Sequence, residues 1–289
     1  ISSIPFTIDE PGSYYLTQDL GPAAADTDGI TVSADNVTID LNGFSLIGAG
    51  KEAGASGDGV TCNETISGLV VRNGTIRDWR HDGIGLYGWL DTNDNLIEKL
   101  NCSNNGHDGI AVRGDTIIQS CICVGNGNVG IRVYEGCLIQ GNVCADNGGS
   151  GMSLQSSIAK DNRCRSNGHN GIYCGSQSLV QGNVCEYNGN HGIFTQAHCR
   201  VVGNLCGYNG QVEDEGAGIK SQLLTTIENN HVYENDIGID SSQSDFIVSN
   251  RAKSNTVNYD ISAGCTAGEI VTLSGTISGD TSPYANFEF

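Results

Sequence analysis

The chain has 289 residues, with 33 acidic side chains against 14 basic ones and a formal net charge of −19. A field of that sign repels phosphates, which argues against nucleic acid and anionic membrane surfaces as partners while leaving room for a local basic site. No stretch approaches the roughly 20 apolar residues of a membrane span, and 41 glycines against four prolines describe a chain that turns every few residues.

Residues 1–27 carry no repeat. Phe6, Ile8, Tyr14, Tyr15 and Leu16 form a strand-prone stretch around Pro11-Gly12. It suits a cap, because the terminal coil of a stacked fold otherwise exposes apolar core and unpaired strand edges. No signal-peptide pattern precedes it, since Ile1-Ser2-Ser3 opens directly into a polar segment. A processed mature form is expected.

A pattern then begins at Asp28-Gly29-Ile30 and recurs at Asp58-Gly59-Val60 and Asp82-Gly83-Ile84. From Asn95 to Gly218 it is regular. Cysteines fall at Cys102, Cys123, Cys144, Cys164, Cys185 and Cys206, spaced by 20 or 21 residues. Each is followed three residues later by an Asn-Gly pair, from Asn105-Gly106 to Asn209-Gly210, and then by a Gly–aliphatic pair such as Gly109-Ile110 or Gly192-Ile193. A fixed period of this length marks a stacked repeat.

Within one unit Ile110 and Val112, or Ile131 and Val133, alternate with outward residues, which is the period of a strand. A second aliphatic follows at Ile118, Ile139, Val180, Val201, Ile227 and Ile247, and the cysteine lies five residues beyond each of the first four. No segment offers helical spacing over three turns. Each coil is therefore a set of short strands and turns, and successive coils pair only in parallel at about 4.8 Å. The predicted fold is all-β: a single-stranded parallel β-helix of about ten or eleven coils over residues 28–265, right-handed by the rule for parallel crossovers. One domain is expected, capped at residues 1–27 and 266–289.

Stacking puts like on like. The aliphatic column is an apolar ladder, and a second asparagine column (Asn142, Asn162, Asn183, Asn204) must find hydrogen-bond partners if buried. In the Asn-Gly pairs glycine is expected to take the positive φ of the turn. Parallel-stacked cysteines sit wider apart than a disulfide wants, so the six are read as a buried thiol stack. Cys121-x-Cys123 is too short for a zinc knuckle, and Cys62, Cys121, Cys174 and Cys265 show no mates in the sequence.

The run of Gly-Ile-x-Val, Ile-x-Gly-Asn-x-Cys and Asn-Gly resembles the right-handed β-helix repeats of the carbohydrate-binding and sugar-hydrolysis group, the pectate lyase-like proteins. That resemblance covers nearly the whole chain and implies a bacterial protein, secreted or on the cell surface, whose partner is a polysaccharide or other glycan. It is a resemblance of repeat, so function has to come from what faces outward.

Outward positions lie two and four residues after each repeat glycine. The first column includes Ala111, Arg132, Ser153, Tyr173, Phe194 and Lys220; the second includes Tyr87, Arg113, Tyr134 and Gln196. Aromatic faces stack on sugar rings and guanidinium forks hold carboxylates, so Tyr87, Tyr173, Phe194, Gln196 and Lys220 are candidate substrate contacts. The bland alternative is that a solenoid fills its outer face with residues that suit strands.

Two insertions depart from the repeat. One carries Trp89 at its tip, a candidate sugar platform. The other carries Glu213-Asp214-Glu215, clustered carboxylates of the kind Ca²⁺ takes, with a solvated loop as the alternative. No other metal site is indicated, and beyond that Ca²⁺ candidate no cofactor is assigned.

For catalysis, a uronate lyase or epimerase needs a cation for the substrate carboxylate and a base for the C5 proton. Arg113, Arg132 and Lys220 are candidate cations; Tyr134 or His107 is the candidate base. A hydrolase needs paired carboxylates, for which Asp82 and Asp108 on neighbouring coils qualify. Both stand in His-Asp-Gly-Ile, which resembles the Asp-Pro-His-Asp motif of mannuronan epimerases without its proline and first aspartate. Asp28 and Asp58 fill the same slot, which is how turn aspartates behave. The sequence thus points to a polysaccharide-acting protein, by elimination or by hydrolysis, with a non-catalytic adhesion or glycan-binding rod as the alternative.

Overall fold

The structure, a computed structural model, describes residues 1–51, 56–62, 64–87, 94–210, 216–272 and 282–289. Its residues form two compact units, Ile1–Gly149 and Ser150–Phe289. Each is a parallel β-helix, and every strand pairing within them is parallel.

In the first unit the opening strands of successive coils pair in the order Phe6–Ile8, Ile30–Val32, Val60–Cys62, Ile84–Leu86, Ile110–Arg113 and Ile131–Tyr134. The second unit repeats the arrangement from Met152–Gln155 through Ile172–Cys174, Ile193–Ala197, Ala217–Leu223 and Ile237–Ser241 to Val257–Ile261. Gly12–Tyr15 pairs with Val37–Asp40, and Arg251–Lys253 with Asn286–Glu288, so both ends of the chain take part in the winding. No helix among the described residues is long and apolar enough to cross a membrane.

The interior follows the columns read from the sequence. Cys102, Cys123 and Cys144 lie in register in one unit, and Cys164, Cys185 and Cys206 in the other. All six are fully buried, and all twelve cysteines of the chain are thiols. Burial among like groups pushes the Cys185 pKa well up, which keeps that thiol neutral. Ile118, Ile139, Val180, Val201, Ile227 and Ile247 fill the adjoining column at 0% exposure.

Two asparagine ladders run beside these columns. The predicted one is present: Asn162, Asn183, Asn204, Asn230, Asn250 and Asn286 pass Nδ2–H to Oδ1 from coil to coil at 3.0–3.1 Å. The second consists of the Asn-Gly asparagines themselves, with Asn105 donating to Asn126, and Asn167 to Asn188 to Asn209, at 2.9 Å. Amides in the middle of a ladder bond on both sides. Asn188, for example, accepts the backbone N–H and the Nδ2–H of Asn167, and donates to the Cys164 carbonyl and to Asn209.

This corrects the reading of the Asn-Gly turns. Positive φ falls on the residue before the asparagine, at Asn104, Gly125, Asp146, Ser166, Tyr187 and Tyr208; of the six pair glycines Gly210 alone takes it as expected, at 93°. The glycine after it is needed for space: a Cβ on Gly127 would lie 2.1 Å from the Gly106 carbonyl oxygen in the neighbouring coil. A second correction concerns the cysteines. Cys174 does have a mate, with its Sγ 3.5 Å from the Sγ of Cys199.

Trp79 is the largest fully buried side chain among the described residues; its indole donates to the Leu46 carbonyl at 3.2 Å and occupies room left by Gly29 and Gly59.

Candidate functional site

In the first unit the aspartate before each repeat glycine caps the next coil. Asp28 accepts the N–H of Asp58 at 2.9 Å, Asp58 that of Asp82 at 2.9 Å, Asp82 that of Asp108 at 2.7 Å, and Asp108 that of Val129 at 2.8 Å. The turn role read from the sequence is therefore real. It also sinks Asp82 and Asp108 to 0% exposure and aims their remaining lone pairs at side chains on the outer face.

Those side chains form one connected group. His81 Nδ1 lies 2.8 Å from Asp58 Oδ1, and His107 Nδ1 lies 2.9 Å from Asp82 Oδ1. The two imidazoles stack at 4.8 Å with 4° between their planes. Tyr87 donates its hydroxyl to Asp82 Oδ2. Arg132 forks onto Asp108, Nε to Oδ2 at 2.5 Å and Nη2 to Oδ1 at 3.3 Å. Asn128 Nδ2 meets His107 Nε2 at 3.1 Å, which fits a neutral His107 that carries its proton on Nδ1, toward Asp82.

These side chains can close over the outer face because the outward positions of these coils are small. Gly85 and Ala111 are aligned and buried, and Asp58 and Tyr87 lie over Gly85. Arg132 follows Ala111 in the column, and Arg113 registers with Tyr134, its guanidinium 5.2 Å above that ring. Arg113, Gly114, Tyr134 and Glu135 line an adjoining hollow of about 270 Å³.

The electrostatics follow from the pairing. The hydrogen bond to Asp58 holds the His81 pKa up at about 9, so this imidazole is a cation at neutral pH. The bond to Asp82 raises that of His107. Burial raises the Asp58 carboxyl and the Tyr87 phenol, and the negative charge of Asp82 adds to both. Burial works against the Arg132 charge, but the bond to Asp108, its negative charge and Tyr134 together outweigh it. Tyr87 thus stays protonated and hydrogen-bonded to Asp82, and His107 is a base whose proton acceptance Asp82 strengthens.

His81, Asp82 and His107 each bring a ligand atom within 4.8 Å of the others, a donor set that could hold a divalent ion. The same atoms satisfy one another through the His–Asp bonds.

The second unit places its candidates on its own opening strands. Tyr173 and Phe194 are in register and stack at 5.4 Å, Gln196 donates to the Tyr173 hydroxyl at 2.6 Å, and Lys220 pairs with Asp240 at 2.8 Å. His191 stacks on Phe194 at 5.9 Å; burial, with Lys220 beside it, lowers its pKa to about 4. Trp89 and the Glu213-Asp214-Glu215 run lie outside the described residues.

The structure therefore gathers Asp82, Tyr87, His107, Asp108, Arg113, Arg132 and Tyr134 on one unit, and Tyr173, Phe194, Gln196 and Lys220 on the other. Sequence reasoning missed Asp58, His81 and Asn128 as members. The signal was a third column, two residues before the repeat glycine, that reads His81, His107, Asn128.

Parallel coils with amide and thiol ladders inside, and a histidine–aspartate–arginine cluster outside, define a parallel β-helix with a candidate acid–base site on its opening strands. The chain belongs to the right-handed β-helix family, whose model, described as a right handed beta helix region, matches residues 58–206. Among solved structures it is similar to the A-module of the mannuronan C-5 epimerase AlgE4 of Azotobacter vinelandii, at 15% identity and a TM-score of 0.65, covering 89% of this chain and 91% of that one. A point mutant of the periplasmic alginate epimerase AlgG gives 12% identity and 0.63, over 98% and 75%. The Dettilon tailspike protein gives 16% and 0.63, and there this chain covers 60% of the other's length. No curated protein matches the sequence.

Proposed function

We propose that the protein acts outside the cytoplasm on a uronate-containing polysaccharide and removes the C5 proton of a sugar ring at the Asp82–His107–Arg132 cluster. The observation that carries this reading is the His107–Asp82 pair, with Tyr87 bonded to Asp82 and Arg132 to the neighbouring Asp108. Asn128 gives way to the substrate at His107 Nε2, which takes the C5 proton, and the electron pair left behind moves toward the sugar carboxylate. Arg132 stabilises that developing charge. Tyr87 then supplies a proton. Delivered to O4, it completes an elimination in which the C4–O4 bond breaks and a C4–C5 double bond forms; delivered to the opposite face of C5, it completes an epimerisation.

Hydrolysis through Asp82 and Asp108 is supported less, because both carboxylates are buried and saturated by backbone, histidine, tyrosine and arginine donors. That saturation also favours one second reading, a glycan-binding protein that does no chemistry.

The test is incubation with polymannuronate, polyguluronate and polygalacturonate in D₂O. Deuterium at C5, or an unsaturated product, is expected with one of them and is lost in His107→Ala. Binding of a polymer without either product would establish the second reading instead.

A further inference from the structure

The second unit holds a different aromatic arrangement at the ends of the strands Val184–Glu186, Leu205–Gly207 and His231–Tyr233, and no residue of it belongs to the clusters above. Tyr233, on the strand His231–Tyr233, is in register with Gly207 of the preceding coil, which in turn is in register with Glu186. A Cβ on Gly207 would lie 2.4 to 2.7 Å from three atoms of the Tyr233 ring, so the ring lies flat over that glycine. Its hydroxyl reaches one coil further and donates to Glu186 Oε1 at 2.7 Å, while Arg163 holds Glu186 Oε2 at 3.3 Å.

Tyr208 stands as a wall to this platform, 5.3 Å away at 84°, and is backed by Tyr187, stacked at 4.8 Å and 5°. His231 borders Tyr233 at 5.5 Å. Tyr208, His231 and Tyr233, with Leu205, Glu234, Lys253 and Ser254, line an open hollow of about 480 Å³.

The placement is costly in backbone terms. Tyr187 and Tyr208 have φ of 57° and 54°, in a turn slot that elsewhere in the chain holds Asn104, Gly125, Asp146, Ser166, Glu234 and Ser254. A bulky side chain is rare in that conformation. Two successive tyrosines there, beside a third laid flat over a glycine, make a shaped aromatic corner.

We propose that this corner is a binding site for a pyranose ring of a saccharide, which lies on the face of Tyr233 against the wall of Tyr208. The C–H face of a pyranose matches the flat, half-exposed ring. Glu234, Lys253 and Ser254 at the rim supply the donors and acceptors that a sugar's hydroxyl groups require. His231 is kept neutral there by partial burial and the charges of Arg251 and Lys253, so it too offers both a donor and an acceptor.

The experiment uses the full chain labelled with ¹³C-tyrosine and carrying Arg132→Ala, so that the candidate acid–base site does not dominate binding. Mannuronate and galacturonate hexamers and cellohexaose are the probes. At least one is expected to shift the ring signals of Tyr233 and Tyr208, with affinity weakened about tenfold by Tyr233→Ala and largely kept by Tyr233→Phe, which retains the ring. Silence of both tyrosines toward all three probes would overturn the proposal. So would a Tyr233→Ala protein with an unchanged far-UV spectrum that binds as tightly as its parent. Neither result bears on C5 exchange at His107, which is read in the unmodified chain.

Discussion

At the level of single residues, the candidate site works by sharing carboxylates between backbone and side chains. Asp82 holds the Asp108 amide and steers His107 with the same oxygen. Because that bond raises the His107 pKa, the base is withheld at low pH, and activity should rise with pH through a limb above the ordinary histidine range. Asp82→Asn removes the negative charge, so the limb should move to lower pH while the maximal rate falls; a pH–rate profile of both proteins checks this. Arg132→Ala should reduce kcat by about 10²–10³ with a smaller effect on KM, as expected for loss of a group that meets charge developing in the transition state. Two other histidines report opposite linkage. His81, raised to about 9 by Asp58, stabilises the fold fully below its unfolded value of 6.5 and loses that contribution as pH climbs through 9. With its side chain 40% exposed, the contribution after solvent screening is on the order of 1 kcal/mol. His191, lowered to about 4 by burial, contributes above 6.5 and loses its contribution as pH falls toward 4. Proton NMR should show one imidazole titrating near each limit.

At the level of strands and turns, the ladders set what can be changed. Asn188→Ala would strand the Cys164 carbonyl, the Asn167 donors and one lone pair on Asn209, so a loss of roughly 2–5 kcal/mol in urea unfolding is expected. Glycines separate into two kinds. Gly127→Ala drives a methyl against a carbonyl 2.1 Å away and should be severely destabilising. Gly141→Asn places a side chain in open space at a φ of 66° that asparagine tolerates, and should change stability by about 0.5 kcal/mol or less. This division shows how far the sequence can be read. Ile118 and Cys123 announce their columns because an apolar residue every 21 positions has one physical meaning. Asn126 does not: before a glycine it reads equally as a turn or as a buried amide, and only the neighbouring coil decides. His81, His107 and Asn128 form a legible column once the pitch is known, but their chemistry depends on aspartates one coil away. Cys174 and Cys199 meet from different parts of successive coils, where no single column relates them.

At the level of the whole molecule, charge works against the proposed substrate. A protein of net charge −19 and a polyuronate repel each other at long range, so encounter depends on local cations such as Arg113 and Arg132. For a uronate polymer kcat/KM should therefore increase as NaCl is raised from about 10 to about 150 mM, where the screening length shortens to about 8 Å. A neutral oligosaccharide bound at Tyr233 should show no such dependence, and stopped-flow measurements at several salt concentrations separate the two.

The directional passing of hydrogen bonds from Asn167 to Asn188 to Asn209 implies that windings are interchangeable parts. Excising residues 168–188 would bring Asn167 onto Asn209 and Cys164 onto Cys206 with the same chemical neighbours as before. Such a protein should fold one turn shorter, and a lineage built this way can lengthen or shorten by whole loops of sequence without inventing a new interior.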